Sequence, residues 1–545
     1  MPNNMKASGN RRVYILLAIG LVAVAPYLGN LTDGFISDDW VHLAQGQAAS
    51  LGGIVSGDAL AVGYYRPLPL ALMWIETRLF GLQPVGYHAV NLVLGLLAVL
   101  SVLALLTRLL PPRTAIWAGL AFAVSAAHVE NVVWISGRSE LPATIFLMWG
   151  LVAHVQWRAG GRRLYLFLSL PAYFLALACN EIALAFPLLV LAIDRLLPSK
   201  PTWKASVTAT LIAATSLFVW LAAKGFAMLG HNGGPIIPHA FGLHCLRDLL
   251  RFVQLFFVPF GFTEAIPTIM NHKILVPAAV LVGGGALAYG GRNLWRRPGV
   301  RLGLIGGLLC LLPAAHLYPR RMHLYLAGAW FAIAIADAVA AAWESGREGR
   351  KRAATIVFAC WLLLNVAVAF SLAQTWHRAS RLAAAVVDDL TAIPLTPGEM
   401  THVLVLTTPD SLREAFVMRN GLHQAMRLRR PETQAIVHPM TLVSMKEKSA
   451  AGLNVMPAYP PRIYVEFKGS SQYDCLLPPD ANQGLKPQDM YPFDIATYRP
   501  LKKDRPFCLT AMEMIVDPTI LWGEHTVVLA YNDGRLVPYK TGSKQ

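Results

Sequence analysis

Apolar runs long enough to span a bilayer recur from Val13 to about Leu372. No other feature narrows the fold of this chain so much. A bilayer-crossing helix needs about 17–25 mostly apolar residues, because hydrocarbon offers no water to an open backbone. Of the 545 residues, 55% are hydrophobic and 14% charged, against about 25% charged in an average soluble protein. The deficit lies before Arg378, after which the chain turns polar and Pro-rich. Two parts are expected: an all-α polytopic membrane domain over residues 1–377 and a C-terminal α/β soluble domain over 378–545.

The formal charge is +16. A nucleic-acid-binding protein can be as basic, but it carries a basic stripe with interleaved aromatics. Here Arg and Lys cluster in short loops between apolar runs, as the positive-inside rule requires. A short basic stretch, Met1 to Arg12, precedes the first apolar run. With no small-residue cleavage site after that run, it reads as a first transmembrane helix and not as a removed signal peptide.

Threading from an inside N-terminus places Arg108, Arg113, Arg158, Arg162, Arg163, Arg195 and Arg296 on the cytoplasmic side. Parity makes residues 246–272 a re-entrant or surface-lying segment, with Arg247, Asp248 and Arg251 on one face of an interfacial helix. The spans number about eleven at that span length, which puts the C-terminal domain outside. There Val403–Leu406, Ile463–Phe467 and Thr526–Tyr531 read as strands, Ser411–Arg427 as a helix, and Asn532-Asp533-Gly534 as a hairpin turn. Cys475 and Cys508 are the soluble domain's two cysteines and are expected to pair in an oxidising compartment.

The same threading sorts Asp38, Asp39, Arg66, His128, Glu130, Arg138, Glu181, Arg320 and Arg321 onto the outer side. Ionisable groups at membrane ends cost free energy unless paired or solvated, so their clusters are functional candidates. Each also has a plainer reading. Asp38-Asp39 can cap a helix; His128-Val129-Glu130 can be a snorkelling helix end or a pair of divalent-metal ligands. Arg138 can be a solvated anchor, and Glu181 can sit favourably at a helix N-terminus. Arg320-Arg321 opposes the positive-inside bias, so an anion should meet it, and a lipid-linked phosphate suits. Gly283-Gly284-Gly285 lies within an apolar run, where small residues let helices pack closely.

Several segments together resemble a known family. Tyr65-Arg66-Pro67-Leu68, Tyr87-His88-Ala89-Val90-Asn91 and the long block from His128-Val129-Glu130 through Trp134-Ile135-Ser136-Gly137-Arg138-Ser139-Glu140-Leu141 are similar to motifs of the GT-C-type membrane glycosyltransferases. The pattern is that of the transmembrane O-mannosyltransferases with lumenal TPR repeats and their bacterial relatives. Asn180-Glu181-Ile182-Ala183-Leu184 resembles their Lys-Glu-x-Ala-Leu with Asn for Lys, and Arg321-Met322-His323-Leu324-Tyr325-Leu326 resembles their Arg-Tyr-Leu-Tyr-Leu with an offset. The likeness covers roughly residues 30–340 and not the C-terminal domain.

The resemblance implies inverting transfer of a sugar from a polyprenyl-phosphate carrier to an acceptor hydroxyl on a glycolipid, glycan or protein. With the span parity above, the chain is expected in a bacterial inner membrane with its C-terminal domain in the periplasm. Asp38, Asp39 and Glu130 are the catalytic candidates, Asp38 first. Arg66, Arg138, Arg320 and Arg321 are the donor-phosphate candidates, His128 with Glu130 the candidate site for a divalent metal, and Glu181 a further site residue. The chemistry asks for these types: a carboxylate to take the hydroxyl proton and cations to stabilise the leaving phosphate. A polysaccharide ligase or polymerase and a lipid-linked glycan transporter are the alternatives. A transporter would call for charges or broken helices near the midplane, where these apolar runs are clean.

Overall fold

The computed structural model describes residues 14, 18–56, 65–196, 201–228, 242–259, 293–315, 320–445, 453–457, 462–467, 475–477, 488, 490–493, 495–505 and 508–539. The chain divides into two units, one of residues 1–31, 49–76 and 86–373, the other of residues 32–48, 77–85 and 374–545. The segment bearing Asp38 and Asp39 therefore groups with the C-terminal residues.

The first unit is helical. Among the described residues four helices are long and apolar enough to cross a membrane: Pro84–Leu109, Trp203–Gly225, Arg321–Glu344 and Glu348–Thr391. A fifth arises if the bent pair Pro112–Ala123 and Ala126–Val133 is one span. The protein is a multi-pass membrane protein. The count is below eleven because Ala18–Asn30, Arg163–Cys179 and Pro298–Ala314 are apolar but shorter, and the expected span 274–290, with its three glycines, lies outside the described residues.

Of residues 246–272 the structure describes 246–259, which lie in and just after the helix Leu243–Phe257, 15 residues long and shorter than the about 17 a span needs; residues 260–272 lie outside the described residues. It buries Phe252 and Phe256 and exposes Leu246 and Leu250, with Arg251 paired to Asp248 at 3.6 Å.

Small residues let two of the helices touch. A Cβ on Gly303 of helix Pro298–Leu311 would stand 2.4 Å from the backbone nitrogen of Ala334 in helix Tyr325–Glu344, the close approach that glycine permits. At other helix ends charges are paired. Asp194 accepts from Arg158 Nε at 3.1 Å and meets His154 Nε2 at 2.9 Å. Arg297 donates to Asp337 and Glu344, each at 2.6 Å.

The second unit is mixed α/β. A four-stranded sheet runs in the order Arg535–Pro538, Thr526–Asn532, Met400–Val405, Gln434–Pro439, with Met400–Val405 parallel to both its neighbours. Asn532 and Arg535 pair across the turn, with Asp533 at φ 42° and Gly534 at φ 88°. Two positive φ values are what a two-residue type I′ hairpin turn demands. Thus the expected strands around 403–406, 463–467 and 526–531 and the expected turn all form.

Ser411–Arg427 does not form one helix. Thr408–Leu412 and Ala415–Phe416 pair as antiparallel strands, and the helix is Leu422–Arg429. Gly421, at φ 85°, stands between them in a conformation no helix interior accepts. The side chains of Cys475 and Cys508, on which the expected disulfide rests, lie outside the described residues.

Candidate functional site

The block from Ser125 to Leu141 is not one helix. Ser125 Oγ accepts from Ala127 N–H at 3.3 Å and opens a tight turn over Ala126–His128. A short helix, Val129–Val133, ends at the extended residue Trp134; a second turn, Ser136–Ser139, leads into helix Glu140–Arg158. Irregular backbone inside a membrane protein must be satisfied by protein groups, and here asparagine amides serve. Asn91 Nδ2 donates to the carbonyls of Val132 (3.1 Å) and Trp134 (3.4 Å). Asn131 Nδ2 donates to Gly137 O at 3.3 Å, and Asn365 Oδ1 accepts from Ala126 N–H at 3.1 Å. Asn180, where the resembling family has Lys, donates to Ser139 Oγ at 2.8 Å and caps the next turn by accepting from Ile182 N–H at 3.0 Å.

This scaffold carries alternating charges. Glu130 is 3% exposed; its Oε1 accepts from Arg320 at 2.5 Å and its Oε2 from Met322 N–H at 2.8 Å. Arg320 also lies 5.9 Å from the centroid of the Trp134 ring. Arg66 meets Glu181 at 2.7 Å, and Lys224 approaches the other oxygen of Glu181 at 3.8 Å. Glu140 opens its helix with its Oε1 3.2 Å from His323 Nδ1, and lies within the electrostatic reach of both Arg66 and Glu130. Arg321, 4% exposed, donates to Pro259 O at 2.7 Å. The fold therefore gathers Arg66, Glu130, Glu140 and His323 from segments far apart in the chain.

Two expectations meet a different geometry. Arg138 was expected at the donor phosphate, yet it is 3% exposed and turned towards Glu76 and Asn91. Its Nη1 donates to Glu76 Oε1 at 2.8 Å and to Asn91 Oδ1 at 3.1 Å, and its Nη2 donates to Glu76 Oε2. The expected metal pair, His128 and Glu130, has other neighbours. The His128 ring packs against Phe122 and Tyr325, with centroids 4.5 and 4.3 Å away, and both oxygens of Glu130 are engaged as above. Among the described residues no group of three or more His, Cys, Asp or Glu could hold a metal ion.

In the second unit, Asp39 is 1% exposed and its Oδ2 accepts from Ile36 N–H at 3.0 Å. Asp38, half-buried, begins the helix Asp38–Ala48, and its Oδ1 accepts from Asn420 Nδ2 at 2.7 Å.

Sequence reading passed over Glu76, Glu140, His323, Lys224 and Asn420. Glu140 and His323 had a signal in standing within the quoted motifs, and Glu76 had one as a carboxylate directly after the apolar run Leu70 to Ile75.

No family model matches the sequence. Over 196 residues, 34% of this chain, it is 29% identical to protein O-mannosyl-transferase Tmtc1 of Drosophila melanogaster. The chain is distantly homologous to the protein O-mannosyl-transferases. It spans only 23% of the length of that O-mannosyl-transferase. Among solved structures, the archaeal oligosaccharyltransferase AglB from Archaeoglobus fulgidus, in complex with an inhibitory peptide and a dolichol-phosphate, aligns at 12% identity. The alignment has a TM-score of 0.42 over 79% of this chain and 65% of that one. ArnT from Cupriavidus metallidurans bound to undecaprenyl phosphate aligns at 14% identity, with a TM-score of 0.41 over 78% of this chain and 85% of that one.

Proposed function

We propose that the protein is a GT-C-type membrane glycosyltransferase. It transfers a sugar from a polyprenyl-phosphate carrier to an acceptor hydroxyl, with inversion, on the outer face of the membrane. The observation that carries this reading is the homology to the O-mannosyl-transferases, joined to outer-loop arginines and carboxylates in motifs like theirs. Roles follow from chemistry. Asp38 takes the acceptor proton as that oxygen attacks the anomeric carbon, and Asp39 supports it through the loop backbone. The bond to the phosphate breaks and the polyprenyl phosphate leaves. Arg66, Arg320 and Arg321 stabilise the phosphate charge, and Arg138 braces the turn that carries Glu130. Acceptors are a glycolipid, glycan or protein hydroxyl.

Mass spectrometry of envelope lipids, glycans and proteins, with and without the gene, tests the function. One glycoconjugate should lose a sugar in the deletion strain and regain it on complementation. An unchanged inventory, or accumulation of an intact lipid-linked glycan on the inner leaflet, would refute transfer, the latter in favour of transport.

Residues 1–377 form the membrane domain in this reading, with about eleven spans of the usual length. The membrane is a bacterial inner membrane, the N-terminus is inside, and residues 378–545 are periplasmic. A reporter fused after Gln545 should be active if it functions only in the periplasm. Signal from a cytoplasm-only reporter at the same site would reverse the sidedness.

A further inference from the structure

The loop that presents Asp38 is held from the C-terminal residues, and the hold is unusually specific. Ser37, fully buried, adopts φ 43°, a left-handed backbone that a non-glycine residue enters only under constraint. The constraint comes from residues 417–421. Ser37 N–H donates to Val417 O at 2.9 Å, and Asn420 N–H donates to Ser37 Oγ at 3.4 Å. Asn420 Nδ2 then reaches Asp38 Oδ1 at 2.7 Å.

Gly421 makes the approach possible. A Cβ there would stand 2.5 Å from Ser37 O and 2.9 Å from Trp40 Cβ, and its φ of 85° already excludes most side chains.

The 417–421 turn is itself anchored. Arg419 grips Asp410, a fully buried carboxylate, through Nε at 2.7 Å and Nη2 at 2.8 Å. Val417 N–H donates to Asp410 O at 2.8 Å, and Met418 N–H to Pro409 O at 2.9 Å. Ser444 Oγ completes the carboxylate's shell at 3.1 Å. A turn fixed this firmly holds the Asn420 amide in place, although that side chain is exposed.

We propose that Asn420 is a positioning residue for Asp38, set by the Gly421 turn and the Arg419–Asp410 fork, so that the C-terminal domain orients the catalytic carboxylate. The amide can only donate to Asp38 through Nδ2, so it fixes one oxygen and leaves the other for the acceptor hydroxyl. This rests on Asp38 being the base. Catalysis depends steeply on such placement, and a misplacement of about 1 Å can cost about 10²-fold.

The test uses full-length protein in membranes of the deletion strain, with transfer read on the glycoconjugate that deletion removes and carrier affinity read with undecaprenyl phosphate. Asn420→Ala should lower kcat by about 10–100-fold and leave undecaprenyl phosphate affinity at the wild-type value. Gly421→Ala should do the same by pushing the turn away. Asn420→Asp places a like charge beside Asp38, which disfavours its ionised form. The acidic limb of its pH–rate profile should move to higher pH, a shift that loss of packing alone would not produce. Wild-type kcat and an unmoved limb in both Asn420 variants, with Asp38→Asn inactive, would overturn the positioning role and leave the base standing. Wild-type turnover in Asp38→Asn would remove the base and the positioning role together.

Discussion

Asp38→Asn should lower turnover about 10²–10⁴-fold, the usual cost of a lost general base, and leave carrier binding intact if Asp38 is the base proposed above. The substitution is nearly isosteric. Its amide oxygen can still accept from Asn420, now 2.7 Å from Oδ1, so the loop stays in place while the basic oxygen is lost. Asp39→Asn should behave differently. Asp39 is 1% exposed and its carboxylate is spent on Ile36 N–H, so its loss loosens the loop and acts on stability before chemistry. Glu130→Gln should weaken the hold on Arg320, paired at 2.5 Å, and so raise the carrier concentration needed for half-maximal rate. Single-turnover transfer at saturating carrier separates the three. Normal turnover in Asp38→Asn, with Asp39→Asn or Glu130→Gln inactive, would move the base elsewhere.

Much of the architecture was legible because it is local. Apolar runs announce membrane helices by length, and Asn532-Asp533-Gly534 announces its hairpin because few residues tolerate two positive φ values in succession. Motif residues were legible as types. Their partners were not, since pairing depends on chain segments brought together only by the fold. Arg138 read as a phosphate ligand because Glu76 is 62 positions away. Asp38 gave no hint of Asn420, 382 positions along the chain. The expected Ser411–Arg427 helix gave way to paired strands over its first residues, and the helix begins only after Gly421, whose left-handed backbone serves a close contact with Ser37. Nor does spacing alone reveal that the rings of Phe122 and Tyr325 pack against His128.

Glu76→Gln should destabilise the membrane domain by about 3–5 kcal/mol, the cost of leaving a buried charge without its partner. Glu76 is 1% and Arg138 3% exposed, and the two form a bidentate pair with Asn91 as the third member. Set against a total stability of about 5–15 kcal/mol, that loss should show as a large fall in the unfolding temperature in detergent. An unchanged transition would mean that the charge finds another partner.

Glu76→Leu with Arg138→Met distinguishes the two readings of Arg138, because removing both charges lifts the desolvation cost and is often neutral or stabilising. If Arg138 braces the turn, the double variant should recover stability and still bind undecaprenyl phosphate, since the Glu130–Arg320 pair remains. If Arg138 instead meets the donor phosphate during turnover, the double variant should be stable yet lose that affinity. Arg138→Lys should then be impaired as well, since an ammonium cannot make the planar two-point contact of a guanidinium. The geometry favours the first outcome: each oxygen of Glu76 already receives one arm of the guanidinium, and a phosphate would have to displace a buried carboxylate to reach it.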